Sequence, residues 1–503
     1  MSESPSLISK ESNHAMKATI TRILVSTLAL VSAAATLAAD VTRPNILFIL
    51  ADDLGWGDPS CYGNSKFKTP VIDRLAREGT LFTQYYQGGS VCSPSRCSLL
   101  TGRWPAELKI HGHLATAELN TQRAMAHFLD PQVPTLPGLL RENGYTTIHV
   151  GKWHLGKPPG SETGPAMLRA YGFDETRWPD VVGAIDGESI NLWSAENRPR
   201  ATKVLVDETI AAIESVKDKP FYCQLWLNDP HAPLAPDKQQ MKPFRRDVPA
   251  GFTSPFEVYA GTVTEMDRQL GRLLDKLDAL GLAENTIVIF SSDNGPEDIE
   301  IGNATWSGAG SAGPLRGRKR SLYEGGTRVP FIVRWPAATP AGKVNNQTVV
   351  SGTDLLPTLC ELAGAVLPNE VKSTQRGQSV AAAFKGDPSF RRTAPLFWEW
   401  RYRVHNHPWN RSPMLAIRDG RWKLLLNPDR SRVELYDILA DPSELANLSD
   451  KHPDIVARLA EKSLAWQKTL PEGPIEPAAG KNAYPWPQQI KPDPLTPRRP
   501  SPF

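Results

Sequence analysis

Several short segments of this chain carry residue types suited to chemistry on a tetrahedral anion. The densest is Cys92-Ser93-Pro94-Ser95-Arg96-Cys97-Ser98-Leu99-Leu100-Thr101-Gly102-Arg103. Pro94 suits the first turn of a helix, which places residue 92 at that helix's N-terminus. Unpaired backbone N–H groups and the helix dipole favour an anion there. Arg96, one turn on, adds a fixed positive charge able to hold residue 92 and neighbouring anions. Two other readings stay open. Cys97 to Arg103 has the Cys-x5-Arg spacing of cysteine-dependent phosphatases, although no histidine precedes Cys97 and Leu99-Leu100 replace a glycine-rich anion cradle. Alternatively, Cys92 and Cys97 are core or disulfide cysteines.

Asp52-Asp53 and Asp293-Asn294 add three carboxylates and an amide oxygen, a hard donor set that suits calcium and suits zinc poorly. One such pair alone is more often a cap or turn. Two pairs beside the Cys92 segment point to a metal. Lys152 and His154 share one short segment, and that spacing favours function over a merely structural histidine.

The Cys-x-Pro-Ser-Arg start at Cys92 resembles the formylglycine-dependent sulfatase family, with its arylsulfatase and N-acetylgalactosamine-6-sulfatase-like members in the alkaline-phosphatase-like superfamily. Asp52-Asp53-Leu54-Gly55-Trp56-Gly57, Gly151-Lys152-Trp153-His154-Leu155-Gly156, Asp229-Pro230-His231-Ala232-Pro233 and the segment from Leu315 to Gly326 resemble further motifs of that family. The resemblance runs from about Arg43 to Asp441-Pro442-Ser443-Glu444. It implies that a formylglycine-generating or sulfatase-maturating enzyme oxidises Cys92, and that one hydroxyl of the hydrated aldehyde attacks sulfur while the other later expels sulfate. It implies that Asp52, Asp53, residue 92, Asp293 and Asn294 hold Ca2+. Arg96 then steadies the site, Lys152 binds sulfate and His154 takes the second hydroxyl's proton. His231 and Lys319 contact sulfate and protonate or stabilise the departing alkoxide. The chain departs from the family at Arg318 and Arg320, where relatives usually have glycines. The lysine assignment is open there, and the basic run also reads as a solvated loop.

These residues need a scaffold that gathers them. Apolar, β-branched runs at 45–50, 146–150, 221–227 and 286–290 each stop at one of the polar clusters. Continuous runs of this kind suit strands buried on both faces of a parallel sheet. Helical patterns lie between them: one opens at Thr69-Pro70 and closes at Gly79, and residues 204–216 and 265–280 have amphipathic spacing. Strands alternating with helices predict an α/β fold whose ligands sit beyond the carboxyl ends of the strands. With the resemblance, the expectation is an alkaline-phosphatase-like three-layer sandwich with a mostly parallel central sheet. Residues 414–417 and 422–426 flank Arg418-Asp419-Gly420 as a hairpin, 433–437 reads as another strand and 453–470 as a helix. The expected organisation is a signal peptide over 1–39, a catalytic domain over 40–388, a C-terminal subdomain with a small antiparallel sheet and helix over 389–470, and a Pro-rich tail over 471–503.

At 503 residues, 40% hydrophobic and 22% charged, the chain has a globular composition. A formal net charge of +3 without a basic stripe argues against nucleic acid as a partner. Lys17 and Arg22 precede an apolar stretch over 23–37 that ends in small residues, the anatomy of a secretory signal, and Met16 gives it ordinary length. No cysteine marks a lipoprotein, and no later run is long enough to anchor the chain in a membrane. Export is expected, to the periplasm or outside if the source is bacterial. Cys61, Cys92, Cys97, Cys223 and Cys360 are an odd number that cannot all pair.

For the substrate, Trp398, Trp400, Arg401, Arg403 and His405 offer rings for a sugar face and cations for sulfate, with His111 and His113 as further rim candidates. Packing between domains explains the same residues equally well. A sulfatase acting on a sulfated saccharide is the first functional expectation. A phosphate or phosphonate monoester hydrolase with the same nucleophile, or a non-catalytic binder of sulfated glycan, are the alternatives.

Overall fold

Asn45–Ala51 forms β1, buried along its whole length in an eight-stranded sheet. The remaining strands are β2 (Thr80–Phe82), β3 (Thr146–Gly151), β4 (Glu175–Arg177), β5 (Phe221–Trp226), β6 (Thr286–Ser292), β7 (Phe331–Arg334) and β8 (Lys343–Asn345). They lie side by side in the order β8-β2-β7-β6-β1-β5-β3-β4. β1 runs parallel to both neighbours, with Ile46 opposite Tyr222 of β5 and Ile287 of β6. β3 is parallel to β5 and β4, whereas β7 is antiparallel to β6 and β2. This computed structural model describes residues 43–483 except 159–163, 186–187, 246–252, 299–305, 388 and 406. The expected signal peptide and the end of the Pro-rich tail lie outside the described residues.

Side chains alternate across a strand, so β1 serves two cores. The main helices are α1 (Pro70–Glu78), α2 (Cys92–Thr101), α3 (Leu136–Glu142), α4 (Ala201–Val216), α5 (Pro255–Ala279), α6 (Leu355–Leu362) and α7 (Pro453–Gln467). Ile46, Phe48 and Leu50 meet Leu99 of α2, Leu140 of α3 and Leu359 of α6. Leu47 and Ile49 meet Ile72 of α1, Leu205 of α4 and Leu270 of α5. The result is the expected three-layer arrangement. Each fully buried side chain of this kind contributes about 1.5–3 kcal/mol. α5 starts at Pro255, well before the amphipathic spacing at 265, because Val258, Tyr259, Ala260 and Gly261 are all buried and leave no polar face.

The C-terminal sheet comprises β9 (Leu396–Glu399), β10 (Leu415–Asp419), β11 (Trp422–Leu426) and β12 (Val433–Asp437), antiparallel in that order. Gly420 takes φ 61 in the tight turn between β10 and β11, a conformation glycine adopts without penalty. Leu415, Ile417, Leu424 and Leu435 pack on Leu459 of α7. Ala416, Leu425 and Tyr436 point the other way and join the core of the main sheet.

Candidate active site

β6, β1, β5 and β3 are adjacent, and the chain leaves each with a polar cluster at its carboxyl end. Asp293-Asn294 follow β6, Asp52-Asp53 follow β1, Asp229 and His231 follow β5, and Lys152 and His154 follow β3. α2 begins at Cys92, directly after the extended residue Val91. Ligand atoms of Asp52, Asp53, Cys92 and His231 all lie within 4.8 Å of one another. Residues far apart in sequence therefore converge as expected.

Ion pairs lock this cluster. Arg96, fully buried, gives Nε and Nη2 to Asp293 Oδ2 at 3.1 and 2.8 Å, and Nη1 to the Lys152 carbonyl at 2.9 Å. Lys152 Nζ contacts Asp52 Oδ2. Lys319 Nζ lies 2.7 Å from Asp53 Oδ2 and 3.0 Å from Glu297 Oε2. The basic run is no solvated loop. Lys319 is buried, and Arg318 spends its guanidinium on the carbonyls of Glu297, Gly308 and Gly310. Of the consecutive cations 318–320, Lys319 is the one that reaches the Asp53 carboxylate.

The electrostatics follow from burial and these partners. Burial pushes the Cys92 thiol up, but Lys152 and Lys319 outweigh it and hold it at about 7. Burial raises Asp53 to about 6 against the pull of Lys319. Burial and the neighbouring Asp52 lift Asp293 well above the usual carboxylate range. Burial, then Lys152, lowers His154 to about 3, so its imidazole is neutral at neutral pH. His154 Nε2 lies 3.2 Å from the Leu114 carbonyl. A carbonyl only accepts, so Nε2 carries the proton and buried, unpartnered Nδ1 has the lone pair. His231 is the reverse: Nδ1 donates to the Ala232 carbonyl, and Nε2 faces Asp53 Oδ2 at 3.7 Å.

The donor set fits a hard cation. Asp52 Oδ1 and Asn294 Oδ1 are buried without a hydrogen-bond partner, an arrangement costly unless something positive meets them. Three carboxylates crowd the same spot, with Asn294 Nδ2 bridging to Asp53 Oδ1 at 2.7 Å. All-oxygen donors of this kind suit Ca2+.

The rim expectation divides. Trp398, Trp400, Arg401 and His111 are buried. Trp398 Nε1 donates to the Gln87 carbonyl at 2.7 Å, and Glu399 Oε2 takes His111 Nδ1 at 3.1 Å and Arg401 Nε at 2.7 Å. These four pack inside the protein: an enclosed ring cannot stack on a sugar, and Arg401 gives its guanidinium to Glu399 and the Pro471 carbonyl. Over 396–402 aromatic and charged side chains alternate while none is exposed, so the packing reading holds there. Arg403 is exposed, and His113 and His405 are half-buried. None of the five cysteines is bonded to another, which removes the disulfide reading of Cys92 and Cys97.

Sequence reasoning passed over Glu297, Trp193 and Arg198. Arg198 Nη2 pairs with Asp229 at 2.9 Å and donates to the His231 carbonyl at 2.6 Å, fixing that loop. The Trp193 ring lies 5.4 Å from the His231 ring and 5.4 Å from Lys152 Nζ. Only Glu297 left a signal, as an acid in the loop directly after Asp293-Asn294.

A nucleophile position at a helix N-terminus, ringed by carboxylates, lysines and histidines at parallel strand ends, defines a hydrolase for esters of a tetrahedral anion. The profile of the Sulfatase family matches residues 44–365, and that of the N-sulphoglucosamine sulphohydrolase C-terminal region matches 317–469. The chain belongs to the sulfatase family and is a sulfuric ester hydrolase. It is 30% identical to an N-acetylgalactosamine-6-O-sulfatase of Bacteroides thetaiotaomicron, over 83% of this chain and 92% of that protein. It is 34% identical to the N-acetylgalactosamine-6-sulfatase of Canis lupus familiaris, over 65% of this chain and 63% of that one. Among solved structures it is similar to Ps i-CgsB in complex with k-i-k-neocarrahexaose, with TM-score 0.70 and 27% identity over 86% of this chain and 94% of that one. The Agrobacterium radiobacter phosphonate monoester hydrolase shares the fold, with TM-score 0.60 and 23% identity over 85% of this chain and 96% of that one.

Proposed function

We propose that this protein hydrolyses sulfate esters of a sulfated carbohydrate, using residue 92 after a maturating enzyme has oxidised Cys92 to formylglycine, beside calcium held by Asp52, Asp53, Asp293 and Asn294. The observation that carries this reading is Cys92 at the first position of α2, within 4.8 Å of ligand atoms of Asp52, Asp53 and His231. Formylglycine would supply a hydrate hydroxyl as nucleophile and a second hydroxyl through which sulfate departs. Calcium would supply charge shared by that hydroxyl and a sulfate oxygen. The chain's own side chains do the remaining work. Lys152 and Lys319 offset the sulfate charge, together with the free N–H groups at the start of α2. His154 Nδ1 takes a proton from residue 92. His231 Nε2, an acceptor at rest beside residue 92, takes the proton released as residue 92 attacks and hands it to the leaving oxygen, with Lys319 beside it. Arg96 keeps Asp293 in place. The names of the two relatives and the neocarrahexaose bound to the structural neighbour support a saccharide substrate. The signal-like residues 1–39 support export, to the periplasm or outside in a bacterium.

Peptide mass spectrometry of active protein should show sulfur replaced by oxygen, with two hydrogens lost, at position 92. Cys92→Ala should abolish turnover, and Cys97→Ala should preserve the chemistry. Full activity from a preparation holding only the Cys92 thiol would falsify the nucleophile. Sulfate and phosphate esters assayed in parallel decide the anion: faster phosphate ester turnover would make this a phosphate or phosphonate monoester hydrolase.

A further inference from the structure

Arg320 is built unlike an ordinary surface arginine. Its backbone is left-handed, at φ 76, a conformation uncommon for any residue but glycine. Its N–H donates to the Ser90 carbonyl at 2.9 Å, which ties it to the chain just ahead of Cys92. The side chain is only 12% exposed, and its Nη1 contacts Glu297 Oε1. Glu297 is itself shared with Lys319, which also pairs with Asp53. The remaining guanidinium N–H groups of Arg320 meet no hydrogen-bond partner among the described residues.

The surroundings are cationic as well. Arg320 acts electrostatically on His113, together with Arg123, and on His405, together with Arg403. Arg403 Nε lies 3.3 Å from His405 Nε2, and Arg123 lies over the Tyr402 ring at 4.9 Å. Among the described residues, the acid in an ion pair with these flanking cations is Glu476, 3.2 Å from Arg403. Lys319 already faces the site that would take the scissile sulfate. Arg320 is the next residue, and Asp53 of the same cluster acts on its charge.

We propose that Arg320, positioned by Glu297 and flanked by Arg123 and Arg403, binds a second anionic substituent on the saccharide whose sulfate is cleaved. The ligand chemistry is a carboxylate or sulfate oxygen set, which a planar guanidinium can meet with paired N–H donors. The preferred substrates are then polyanionic sugars rather than monosulfated neutral ones. This rests on the sulfatase reading and adds the substrate class to it.

Binding tests it independently of turnover. In a Cys92→Ala background, calorimetry would compare N-acetylgalactosamine 6-sulfate, its 4,6-disulfate, and a disaccharide joining the 6-sulfated sugar to a uronate. The expected result is at least about tenfold tighter binding of one doubly charged ligand, equivalent to about 1.4 kcal/mol. Arg320→Gln should erase that ratio. Arg403→Gln, which touches neither Glu297 nor Lys319, should reduce it. The disulfate and uronate arms show which anion is read. Equal affinity for singly and doubly charged ligands, or an unchanged ratio in Arg320→Gln, overturns the proposal. Failure of the mature wild-type enzyme to hydrolyse any sulfate ester would instead sink the sulfatase reading and leave the binding ratio to be judged by itself.

Discussion

His154 and His231 are one residue type with opposite nitrogens free, and that difference separates their work. His154 holds its proton at Nε2 against the Leu114 carbonyl and keeps a buried, unpartnered acceptor at Nδ1. His231 fixes Nδ1 on the Ala232 carbonyl and turns Nε2 to the carboxylate cluster. A sugar alkoxide needs a proton as the S–O bond breaks, whereas a nitrophenolate delocalises its charge. His231→Ala should therefore slow sugar sulfates by about 10²–10⁴ and aryl sulfates much less. His154→Ala should slow both alike, with a burst as the sulfated intermediate accumulates. The measurement is kcat/KM and burst amplitude on one substrate of each type. An equal loss on both substrates in His231→Ala would reassign it to sulfate binding and move the acid to Lys319.

Strand ends hold these residues in place, and one of them shows how tightly. Gly151 closes β3 at φ 101, and a Cβ there would lie 2.1 Å from the Trp226 carbonyl oxygen. That oxygen also takes the N–H of Lys152 at 2.8 Å. Gly151→Ala should cost on the order of 1–3 kcal/mol from the strained backbone, more with the clash. It should also cut activity by about 10²-fold as Lys152 is displaced. Denaturant melts and kcat/KM check both. The four central strands were legible in the sequence because their apolar runs end in the very residues that converge. Lys319 was less so, since its loop belongs to no strand and its placement depends on partners elsewhere. Glu297, Trp193 and Arg198 gain meaning only through contacts with distant loops, which periodicity does not encode. The aromatic stretch at 397–403 was read on composition, and composition does not tell a binding face from an interior one.

The C-terminal sheet is more than an appendage at the scale of the whole molecule. One of its faces belongs to the main core through Ala416, Leu425 and Tyr436. The segments between and after its strands also grip the loop carrying Lys319: Gly317 N donates to Asn410 Oδ1 at 3.1 Å, Leu322 N to Ser412 Oγ at 2.9 Å, and Glu324 N to Glu444 Oε2 at 2.7 Å. A chain ending at residue 395 should lack a cooperative thermal transition and bind no substrate. A folded, cooperatively melting truncation would show that the two sheets are independent.

The pairing of β1 has a consequence in time. It is the first strand of the sheet to leave the ribosome, yet its partners begin at Phe221 and Thr286. Until those arrive, the heptapeptide Asn45–Ala51 is an apolar strand with both edges open. Such distant pairing slows folding and leaves the nascent chain prone to sticking. The segment that later anchors Asp52 and Asp53 is thus the one most in need of protection while the protein is being made.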